Sequence, residues 1–413
     1  GPAKAAVVGS ALMGTISGSA VANVATVGTF TIPLMKKTGY KPEVAGGIEA
    51  TGSSGGQIMP PVMGAAAFIM ADFLKVPYTH VAIAAAFPAL LYYLSLFFMV
   101  DMEAAKSGLK GMDRSEIPSL KKTLLYSGHL LLPILALIAF LGIIAYSPQK
   151  AAFLSIAALI LISFLRAHTR LNAERTLTAL AQGAIGTLEV AVVCACAGIA
   201  IGIIMRTGLG FMLTNVLIEL SQGILPILMI LTMITSTILG MGLPTSACYI
   251  IVAVLIAPAM IKLGVLPMAA HLFAFYYATL SAITPPVALA AYAASGIAGA
   301  PPMITGVQAC RFGITGFIVP YMFVYGPALL LEGNITEILI ACLGATVGVY
   351  AVSVAMMGWI FTTVPIWARV ISFVAALMLI YPELISSILG LAILSVVVAV
   401  NYLAKKRARV GNS

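Results

Sequence analysis

Two groups of glycine, proline and hydroxyl residues are the parts of this sequence best suited to bind a ligand. The stretch 51–56 reads TGSSGG and precedes Pro60-Pro61, while Thr279 and Ser281 precede Thr284-Pro285-Pro286. Proline donates no backbone hydrogen bond and glycine lowers the cost of unwinding, so both segments predict a helix that is interrupted midway. Freed amide groups favour a carboxylate, whereas freed carbonyls and hydroxyls favour a desolvated Na⁺.

A short polar tip lies upstream of each interruption. The tips are Ser17-Gly18-Ser19 and the stretch 241–246, which reads MGLPTS. The first tip joins apolar runs 2–16 and 20–35, and the second joins runs 227–239 and 247–261. Because a membrane-crossing helix needs ~20 residues and these runs are shorter, they predict two re-entrant hairpins.

The two hairpin-plus-break units repeat one another without a gap. Segment 33–77 matches segment 258–302 at an offset of 258 − 33 = 225 residues. At that offset Pro42 meets Pro267, and Pro60-Pro61-Val62 meets Pro285-Pro286-Val287. Since proline and glycine decide where a membrane helix breaks, the units are predicted to share a backbone path. Broken segments at matching positions of two repeats point to the binding site of a transporter.

The composition is that of an integral membrane protein. Of 413 residues, 61% are apolar and 8% are charged, with a mean hydropathy of +1.09. Soluble domains carry about 25% charged residues, so lipid is the expected solvent of this chain. The net charge of +9 falls in short loops between apolar runs rather than on one surface, so no nucleic-acid partner is predicted.

The order of apolar runs predicts an inverted repeat. Five crossings separate the openings of the two hairpins, namely broken helix 43–74 and runs 79–100, 124–146, 150–165 and 178–205. The remaining runs lie near 268–299, 306–331, 337–361, 364–381 and 384–403. An odd number of crossings places the second hairpin on the opposite side from the first. The predicted fold class is therefore an all-α polytopic membrane protein with an inverted repeat of a re-entrant helical hairpin plus a broken transmembrane helix.

Lysine and arginine residues orient this topology. The side where the first hairpin opens carries Lys4, Lys36, Lys37, Lys41, Lys106, Lys110, Arg114, Lys121, Lys122, Arg166, Arg170, Arg175, Arg311, Lys405, Lys406, Arg407 and Arg409. The other side carries Lys75, Lys150, Arg206 and Lys262, and Arg369 is ambiguous. By the positive-inside rule the first hairpin opens to the cytoplasm, and the C-terminus is cytoplasmic.

The repeat and the spans divide the chain into five predicted parts. They are a first repeat (1–100), a cytoplasmic connector (101–123), scaffold and linking helices (124–222), a second inverted repeat (223–331), and C-terminal helices with a basic cytoplasmic tail (332–413). The chain begins with Gly1 rather than Met, so we expect the natural protein to extend before it.

Ionisable residues within apolar runs are further functional candidates, because they are costly in a membrane. Glu49 lies one turn before the first break, where it either tunes a cation or proton site or pairs with a lysine such as Lys41. Glu189 is the deepest acid, and His271 lies in the first half of the second broken helix, where a proton role is conceivable.

The sequence resembles the large membrane subunit of TRAP transporters, and in particular the fused permeases that work with TAXI-type binding proteins. The resemblance is carried by stretches 14–24 (GTISGSAVANV), 46–68 (GGIEATGSSGGQIMPPVMGAAAF), 240–245 (GMGLPT) and 283–287 (ITPPV), and it extends over most of the chain. Such permeases carry a four-helix small-subunit module and scaffold helices before the first hairpin. We therefore expect these parts to precede Gly1.

The resemblance implies a multi-pass secondary transporter of the ion-transporter superfamily in the inner (cytoplasmic) membrane, not an enzyme. The resemblance implies that an extracytoplasmic binding protein delivers an organic acid anion. A cation gradient, usually of Na⁺, would drive the uptake. An elevator-type movement would carry the hairpins across the membrane. No other cofactor is implied. The implied binding residues are Ser17, Gly18, Ser19, Asn23, Thr51, Gly52, Ser53, Ser54, Gly55, Gly242, Pro244, Thr245, Thr279, Ser281 and Thr284, with the Na⁺ site formed by carbonyls and hydroxyls of these segments.

Several alternatives stay open at this point. Serine and threonine in membrane helices often donate back to helical carbonyls instead of ligating an ion. An ion channel also uses re-entrant hairpins and carbonyls, although inverted repeats with two broken helices favour alternating access. A symporter that needs no binding protein is a further alternative. An intramembrane hydrolase that uses Ser17 or Ser19 would need a partnered base, which the sequence does not offer in the same segment.

Overall fold

The structure is a computed structural model that describes residues 1–109, 111–112, 119–381 and 384–410. Residues 110 and 113–118 of the predicted connector therefore lie outside the described residues, as does the side chain of Glu189. The regular secondary structure of the described residues is helical, apart from one isolated backbone bridge between Trp359 and Thr363.

The first unit consists of a helical hairpin, a broken helix and a long helix. Its helices are α1 (Pro2–Ser17), α2 (Ala20–Asn23), α3 (Thr29–Lys37), α4 (Pro42–Gly55), α5 (Ala65–Leu74) and α6 (Tyr78–Lys106). A π-helical turn, Val24–Gly28, joins α2 to α3. Helix α6 continues to Lys106, so the first residues of the predicted connector extend this helix instead of forming a separate segment.

The second unit repeats this order. Its helices are α12 (Leu225–Gly240), α13 (Thr245–Leu255), α14 (Ala257–Lys262), α15 (Pro267–Leu280), α16 (Leu289–Ala298), α17 (Pro302–Phe312) and α18 (Ile314–Tyr325). Helices α4 and α15 begin at equivalent prolines, 267 − 42 = 225 residues apart, and end 280 − 55 = 225 residues apart. The residue before each proline is extended, as proline requires, which fixes where both helices start.

Among the described residues, five α-helices connect the two units and three follow the second. The connecting helices are α7 (Leu120–Ser127), α8 (Leu132–Ile138), α9 (Pro148–Ser163), α10 (Ala173–Thr207) and α11 (Leu209–Leu220), and the last three are α19 (Ile335–Met357), α20 (Ile366–Ile380) and α21 (Leu384–Val410). Large apolar side chains on the connecting helices are exposed, among them Phe153 at 71% and Ile185 at 66%. Such faces are suited to lipid.

Six helical stretches among the described residues are long and apolar enough to cross a membrane. They are Tyr78–Lys106, Lys121–Ile143, Thr245–Lys262, Pro302–Tyr325, Ile335–Met357 and Ile385–Arg407. A seventh is formed if the pair Cys194–Ile204 and Leu209–Leu220, which is bent by 76°, counts as one span. The prediction of a polytopic all-α membrane protein is therefore confirmed. The return arm of the second hairpin is itself one of the six stretches.

The broken helices α4 and α15 form the core. Helix α4 is buried from Val44 to Gly55, and α15 from Met268 to Leu280. Helix α4 packs against α1 of its own unit and against α16 and α17 of the other. Helix α15 packs against α12, α13 and α18. The two units therefore share one core.

Hydroxyl groups join the C-terminal helices to this core. The Ser95 Oγ of α6 lies 2.5 Å from the Thr315 Oγ1 of α18 and 3.1 Å from the Ser353 Oγ of α19. Arg369 of α20 donates to the Ala355 carbonyl at 2.7 Å, near the end of α19. Cations at a helix C-terminus stabilise its unpaired carbonyls, so α20 is fixed against α19 by charge as well as packing.

Four basic residues of the predicted cytoplasmic side have acidic or carbonyl partners at one end of the molecule. The Lys4 Nζ lies 2.6 Å from the Asp101 carboxylate, and the Arg311 Nη2 lies 2.9 Å from the Glu103 carboxylate. Burial, together with these two carboxylates, raises the pKa of the nearby Tyr40 to about 12, so its phenol stays neutral. Two lysines donate to backbone carbonyls at this end, Lys36 to Ala298 at 2.6 Å and Lys106 to Met357 at 3.2 Å.

Candidate functional site

The first hairpin tip touches the first break through glycines. Gly18 has a left-handed backbone with φ of 62°, and its amide donates to the Gly14 carbonyl. A Cβ added to Gly18 would lie 2.6 Å from the Gly64 Cα, and one added to Gly14 would lie 2.5 Å from the Gly56 Cα. No other residue type fits this backbone-to-backbone contact, so glycine at these positions is what brings the tip to the break.

The first break lies later in the chain than predicted. The stretch 51–55 is helical, α4 passes into a 3₁₀ turn at Gly56–Ile58, and helical structure resumes only at Ala65. The unwound part coincides with Pro60 and Pro61, which lack the amide hydrogens that a helix needs. The predicted unwinding at 51–56 is therefore wrong. The glycines there allow close packing instead. A Cβ added to Gly52 would lie 3.2 Å from the Ser10 Cβ, and a Cβ added to Gly55 would lie 2.4 Å from the Tyr92 ring.

Two tyrosines of α6 bind carbonyls at the end of α4. The Tyr92 hydroxyl donates to the Thr51 carbonyl at 2.9 Å, and the Tyr93 hydroxyl donates to the Gly52 carbonyl at 2.7 Å. Both tyrosines are buried, so these bonds are formed away from water. Gly52 lies in the last turn of α4, where carbonyls lose their intrahelical donors, and the Tyr93 hydroxyl supplies a donor there. Sequence reasoning missed this role, although adjacent tyrosines in an otherwise apolar helix were a visible signal.

Tyrosines also bind the unwound loops of both breaks. The Tyr78 hydroxyl donates to the Pro61 and Val62 carbonyls at 2.6 and 2.9 Å. In the second unit the Tyr292 hydroxyl donates to the Pro286 carbonyl. Unwound carbonyls at membrane depth are costly without such partners. These contacts satisfy carbonyls of both unwound loops, half-buried at Pro61–Val62 and exposed at Pro286.

The second tip and break have the same arrangement with different residues. Gly242 at the tip is left-handed, with φ of 79°, and α13 begins at Thr245 directly after Pro244. The break begins with a 3₁₀ turn at Ser281–Ile283. The Ser281 hydroxyl reaches the Gly240 carbonyl at 3.0 Å. In the second unit this contact between a hydroxyl and the backbone replaces the contact between Gly14 and Gly56 in the first unit.

Gln57 connects the two hairpin tips. Its Nε2 donates to the Gly18 carbonyl of the first tip at 3.0 Å. Its Oε1 accepts from the Thr245 hydroxyl of the second tip, also at 3.0 Å. The side chain is 5% exposed and lies in the 3₁₀ turn of the first break. Three of the four predicted segments therefore meet at one amide, which sequence reasoning did not single out because its partners lie far apart in the chain.

Several predicted hydroxyls donate to nearby backbone carbonyls. The Thr51 hydroxyl lies 2.8 Å from the Gly47 carbonyl and 2.9 Å from the Ala309 carbonyl. The Thr284 hydroxyl donates to the Leu280 carbonyl at 2.7 Å. In the first tip the Ser17 hydroxyl lies 3.5 Å from the Ser19 carbonyl, and the Ser19 hydroxyl accepts from the Ala22 amide at 3.3 Å. A hydroxyl that donates in this way keeps a lone pair that can still face a cation.

Three predicted residues carry buried oxygen atoms without a hydrogen-bond partner among the described residues. They are the Asn23 Oδ1, the Ser54 Oγ and the Thr279 Oγ1. Their side chains are at most 1% exposed. Native proteins leave few buried polar atoms unsatisfied, and such atoms are explained by water, an ion or a functional role. Neutral oxygens in dry surroundings are the donor type that suits Na⁺.

Helix N-termini at the site remain open to an anion. Helices α5, α13 and α16 begin at the first break, the second tip and the second break, and no side chain caps any of the three. Their first amide groups have no intrahelical acceptor and carry the positive end of the helix dipole. A carboxylate is therefore favoured at these positions.

Two ionisable residues near the site are paired with uncharged groups. The Glu49 carboxylate accepts hydrogen bonds from hydroxyls, so the alternative of a pair with Lys41 is wrong. Ser53 is one of these donors, at 3.1 Å. In the second unit the His271 Nδ1 lies 2.7 Å from the Tyr249 hydroxyl. Each residue joins a broken helix to the hairpin of its own unit.

Comparison with known proteins gives one family and several relatives. The family described as "Tripartite ATP-independent periplasmic transporter, DctM component" matches residues 1–338. The chain is 27% identical over 309 residues to the C4-dicarboxylate TRAP transporter large permease protein DctM of Pseudomonas aeruginosa. The matched residues make up 73% of this chain and 70% of that protein. It is 24% identical over 287 residues to a putative TRAP transporter large permease protein of Haemophilus influenzae. That match covers 68% of this chain and 65% of the Haemophilus influenzae protein.

A further relative is an uncharacterized protein, y4mL, of Sinorhizobium fredii. The identity is 28% over 169 residues, which cover 40% of this chain and 39% of that protein. The chain therefore aligns with between two fifths and seven tenths of the length of these relatives. The matched family region ends inside α19, so most of α19 and all of α20 and α21 lie beyond it.

Proposed function

The chain belongs to the DctM family of tripartite ATP-independent periplasmic (TRAP) transporters, and we propose that it is a permease for cation-coupled uptake of an organic acid anion. The observation that carries this proposal is the Gln57 side chain, which holds both hairpin tips beside the first break. A single buried polar group that connects both repeats is suited to sense whether a ligand separates the tips. The alternating-access mechanism needs such a site at the junction of the repeats.

Na⁺ is the proposed coupling ion. The Asn23, Ser54 and Thr279 side chains supply buried oxygens without hydrogen-bond partners among the described residues, and the unwound breaks supply further backbone carbonyls. Burial of a bare cation is costly unless several oxygens replace its water. The unsatisfied oxygens are most simply explained as ligands that a Na⁺ ion would complete.

An organic acid anion is the proposed substrate class. Three uncapped helix N-termini at the tips and breaks favour a carboxylate. The Ser17 and Thr245 hydroxyls can donate to it when they turn away from the Ser19 carbonyl and the Gln57 Oε1. The printed name of the Pseudomonas aeruginosa relative supports the same class, since it specifies C4-dicarboxylate. Co-binding of Na⁺ would offset the negative charge of the substrate in the membrane interior.

The proposed mechanism is an elevator-type movement of two re-entrant hairpins and broken helices. The molecule would be oriented with the first hairpin and the C-terminus facing the cytoplasm, in the inner membrane. The Lys4–Asp101 and Arg311–Glu103 pairs support this orientation, because they cluster basic residues at the end where the first hairpin opens. The proposed partners are a TAXI-type binding protein and a four-helix small-subunit module.

Reconstitution in liposomes tests the proposal. Full-length protein in liposomes, supplied with its binding protein loaded with a radiolabelled organic acid, is expected to accumulate that acid only under an inward Na⁺ gradient. Uptake without the binding protein would replace the proposal by an independent symporter. A current that follows voltage without any substrate would replace it by an ion channel.

A further inference from the structure

The turn between α19 and α20, residues 358–365, is held against the end of α21 by one buried asparagine. The Asn401 Oδ1 accepts hydrogen bonds from the Phe361 and Thr362 amides at 3.0 and 3.2 Å. The Asn401 Nδ2 donates to the Thr362 Oγ1 at 3.1 Å. Because Asn401 is buried, these bonds are formed away from water, and they fix the position of the turn beside the last residues of α21.

Phe361 of this turn lies beneath a lysine of α21. The Lys405 Nζ is 5.2 Å from the centre of the Phe361 ring, and the ring itself is exposed. An aromatic face attracts a cation at this distance but does not neutralise its charge. The turn therefore places Lys405 at the surface and leaves its N–H groups able to bind an anion.

Lys405 belongs to a basic cluster, Lys405, Lys406 and Arg407, that lacks an acidic partner. None of the three pairs with a carboxylate among the described residues. From residue 338 to the end of the chain the sequence has a single acid, Glu383, which comes 405 − 383 = 22 residues before Lys405. The same stretch has five bases, namely Arg369, Lys405, Lys406, Arg407 and Arg409. The charge of the basic cluster is therefore complementary to an anion.

The basic cluster lies where a membrane span ends. The stretch Ile385–Arg407 is long and apolar enough to cross a membrane, so its last residues reach the level of the lipid headgroups. Val396, Val400 and Leu403 follow one another at spacings of four and three, so they share one face of α21, and all three are exposed. Arg407 continues this exposed stripe four residues later. An apolar surface therefore leads directly to the cations.

A partner that is both apolar and anionic fits these two surfaces together. Phosphate oxygens suit the basic cluster, and acyl chains suit the exposed stripe. A soluble phosphate would use the cluster alone and leave the stripe uncovered. A zwitterionic lipid would bring its own ammonium group close to the lysines. Basic clusters of about four residues beside a membrane span are typical of binding to anionic lipid.

We propose that the basic cluster, the exposed stripe and Phe361 form a binding site for an anionic phospholipid such as phosphatidylglycerol. The lipid phosphate binds the cations at the end of α21, and one acyl chain lies along the stripe. Asn401 is a positioning residue, because it holds the turn that carries Phe361. The site belongs to the helices beyond the matched family region. The inference depends on the membrane location of the chain and not on what the chain transports.

Native mass spectrometry of the full-length protein in detergent tests the lipid preference. Wild-type protein is expected to retain phosphatidylglycerol at concentrations at which phosphatidylcholine with the same acyl chains is lost. Each cation contributes about fivefold to the affinity for anionic lipid, so Lys406→Gln/Arg407→Gln should bind phosphatidylglycerol about twenty-fivefold more weakly. Equal retention of the two lipids by wild-type protein overturns the proposal.

Lys150→Gln is the matched control for the charge. Lys150 also lies over an aromatic ring, 3.8 Å from the centre of the Tyr146 ring, but no other base lies near it in sequence. The Lys150→Gln variant should therefore bind phosphatidylglycerol as wild-type protein does. If Lys406→Gln/Arg407→Gln binds this lipid as tightly as Lys150→Gln, the basic cluster is not the site and the proposal fails.

Thermal unfolding separates a lipid from a soluble phosphate. The unfolding midpoint should rise with phosphatidylglycerol, because a ligand that binds only the folded state stabilises it. Glycerol phosphate at the same concentration has no acyl chains and should leave the midpoint unchanged. An equal rise with both compounds overturns the role of the exposed stripe. Phe361→Ala should reduce the rise caused by the lipid, whereas Phe153→Ala, which removes an exposed ring on α9, should not. An undiminished rise in Phe361→Ala overturns the role of the turn.

Discussion

The Thr245 hydroxyl donates a 3.0 Å hydrogen bond to the Gln57 Oε1, although 188 residues separate the two in sequence. Because the Gln57 Nε2 also binds the Gly18 carbonyl, one amide group is shared between both hairpin tips. Opening either tip breaks one of these bonds and frees half of the amide for a ligand. The bridge therefore couples the state of one tip to the state of the other.

Replacing Gln57 by alanine is expected to lower the initial rate of uptake about tenfold or more, which corresponds to ~1.4 kcal/mol. The loss of buried hydrogen bonds is large enough for this effect, at ~0.5–1.5 kcal/mol each. A double-mutant cycle with Thr245→Val, measured by uptake into liposomes, should give a coupling energy of about 0.5–1.5 kcal/mol. Thr346→Val in α19 is a matched control with no expected effect, because Thr346 bonds only within its own helix. Additive effects of Gln57→Ala and Thr245→Val would contradict a direct bridge.

Gly18→Ala is expected to abolish uptake, and Gly223→Ala to preserve it. Both glycines are left-handed, with φ of 62° and 70°, so alanine costs ~1–2 kcal/mol at either place through backbone strain. Only at Gly18 does the new Cβ meet backbone, 2.6 Å from the Gly64 Cα, while nothing lies within 4 Å at Gly223. Uptake rates and thermal unfolding of both variants separate the two effects. Equal losses in the two variants would mean that strain, not the tip contact, matters.

Tyr93→Phe is expected to destabilise the protein by about 1–2 kcal/mol, because the Gly52 carbonyl is left buried without its donor. The midpoint of thermal unfolding in detergent should fall by a few degrees. Tyr402→Phe on α21 is the control, since that side chain is 55% exposed and its loss of a hydroxyl should not matter. A Tyr93→Phe variant as stable as wild type would show that the carbonyl finds another partner.

Arg311→Gln is expected to cost ~1–3 kcal/mol of stability, and Lys4→Gln at most about 1 kcal/mol. The Arg311–Glu103 side chains are 25% and 13% exposed, whereas those of Lys4 and Asp101 are 31% and 65% exposed. The more buried carboxylate loses more when its partner is removed, because less water replaces that partner. Chemical denaturation of the two variants side by side measures the difference. A larger effect at Lys4 would reverse this ranking.

The positions of the broken helices could be predicted from the sequence because proline acts locally. Pro42 and Pro267 start α4 and α15, and the 225-residue offset between them holds through the following 3₁₀ turns. The place of unwinding was predicted too early, at 51–56. Glycine permits either unwinding or close packing, and only the neighbouring Ser10 and Tyr92 side chains decide between them.

The contacts between units could not be predicted in the same way. Nothing in the residues around Gln57 indicates that Thr245 will lie beside it, since that depends on how the tips of two hairpins meet. The partners of Glu49 are also set by packing, because a hydroxyl on α1 and another on α3 reach it ahead of the lysine that lies closer in sequence. Sequence identified these segments as polar and broken, and tertiary structure decided what each side chain binds.

The two units share a backbone plan but fasten their hairpins with different chemistry. Glu49 and its hydroxyls hold the first hairpin, the Tyr249–His271 bond contributes to holding the second, and the position equivalent to Glu49 at 49 + 225 = 274 is Ala274. This is the pattern expected of an ancestral duplication whose copies have diverged. A substitution among the residues that fasten one hairpin therefore leaves the fastening of the other hairpin untouched.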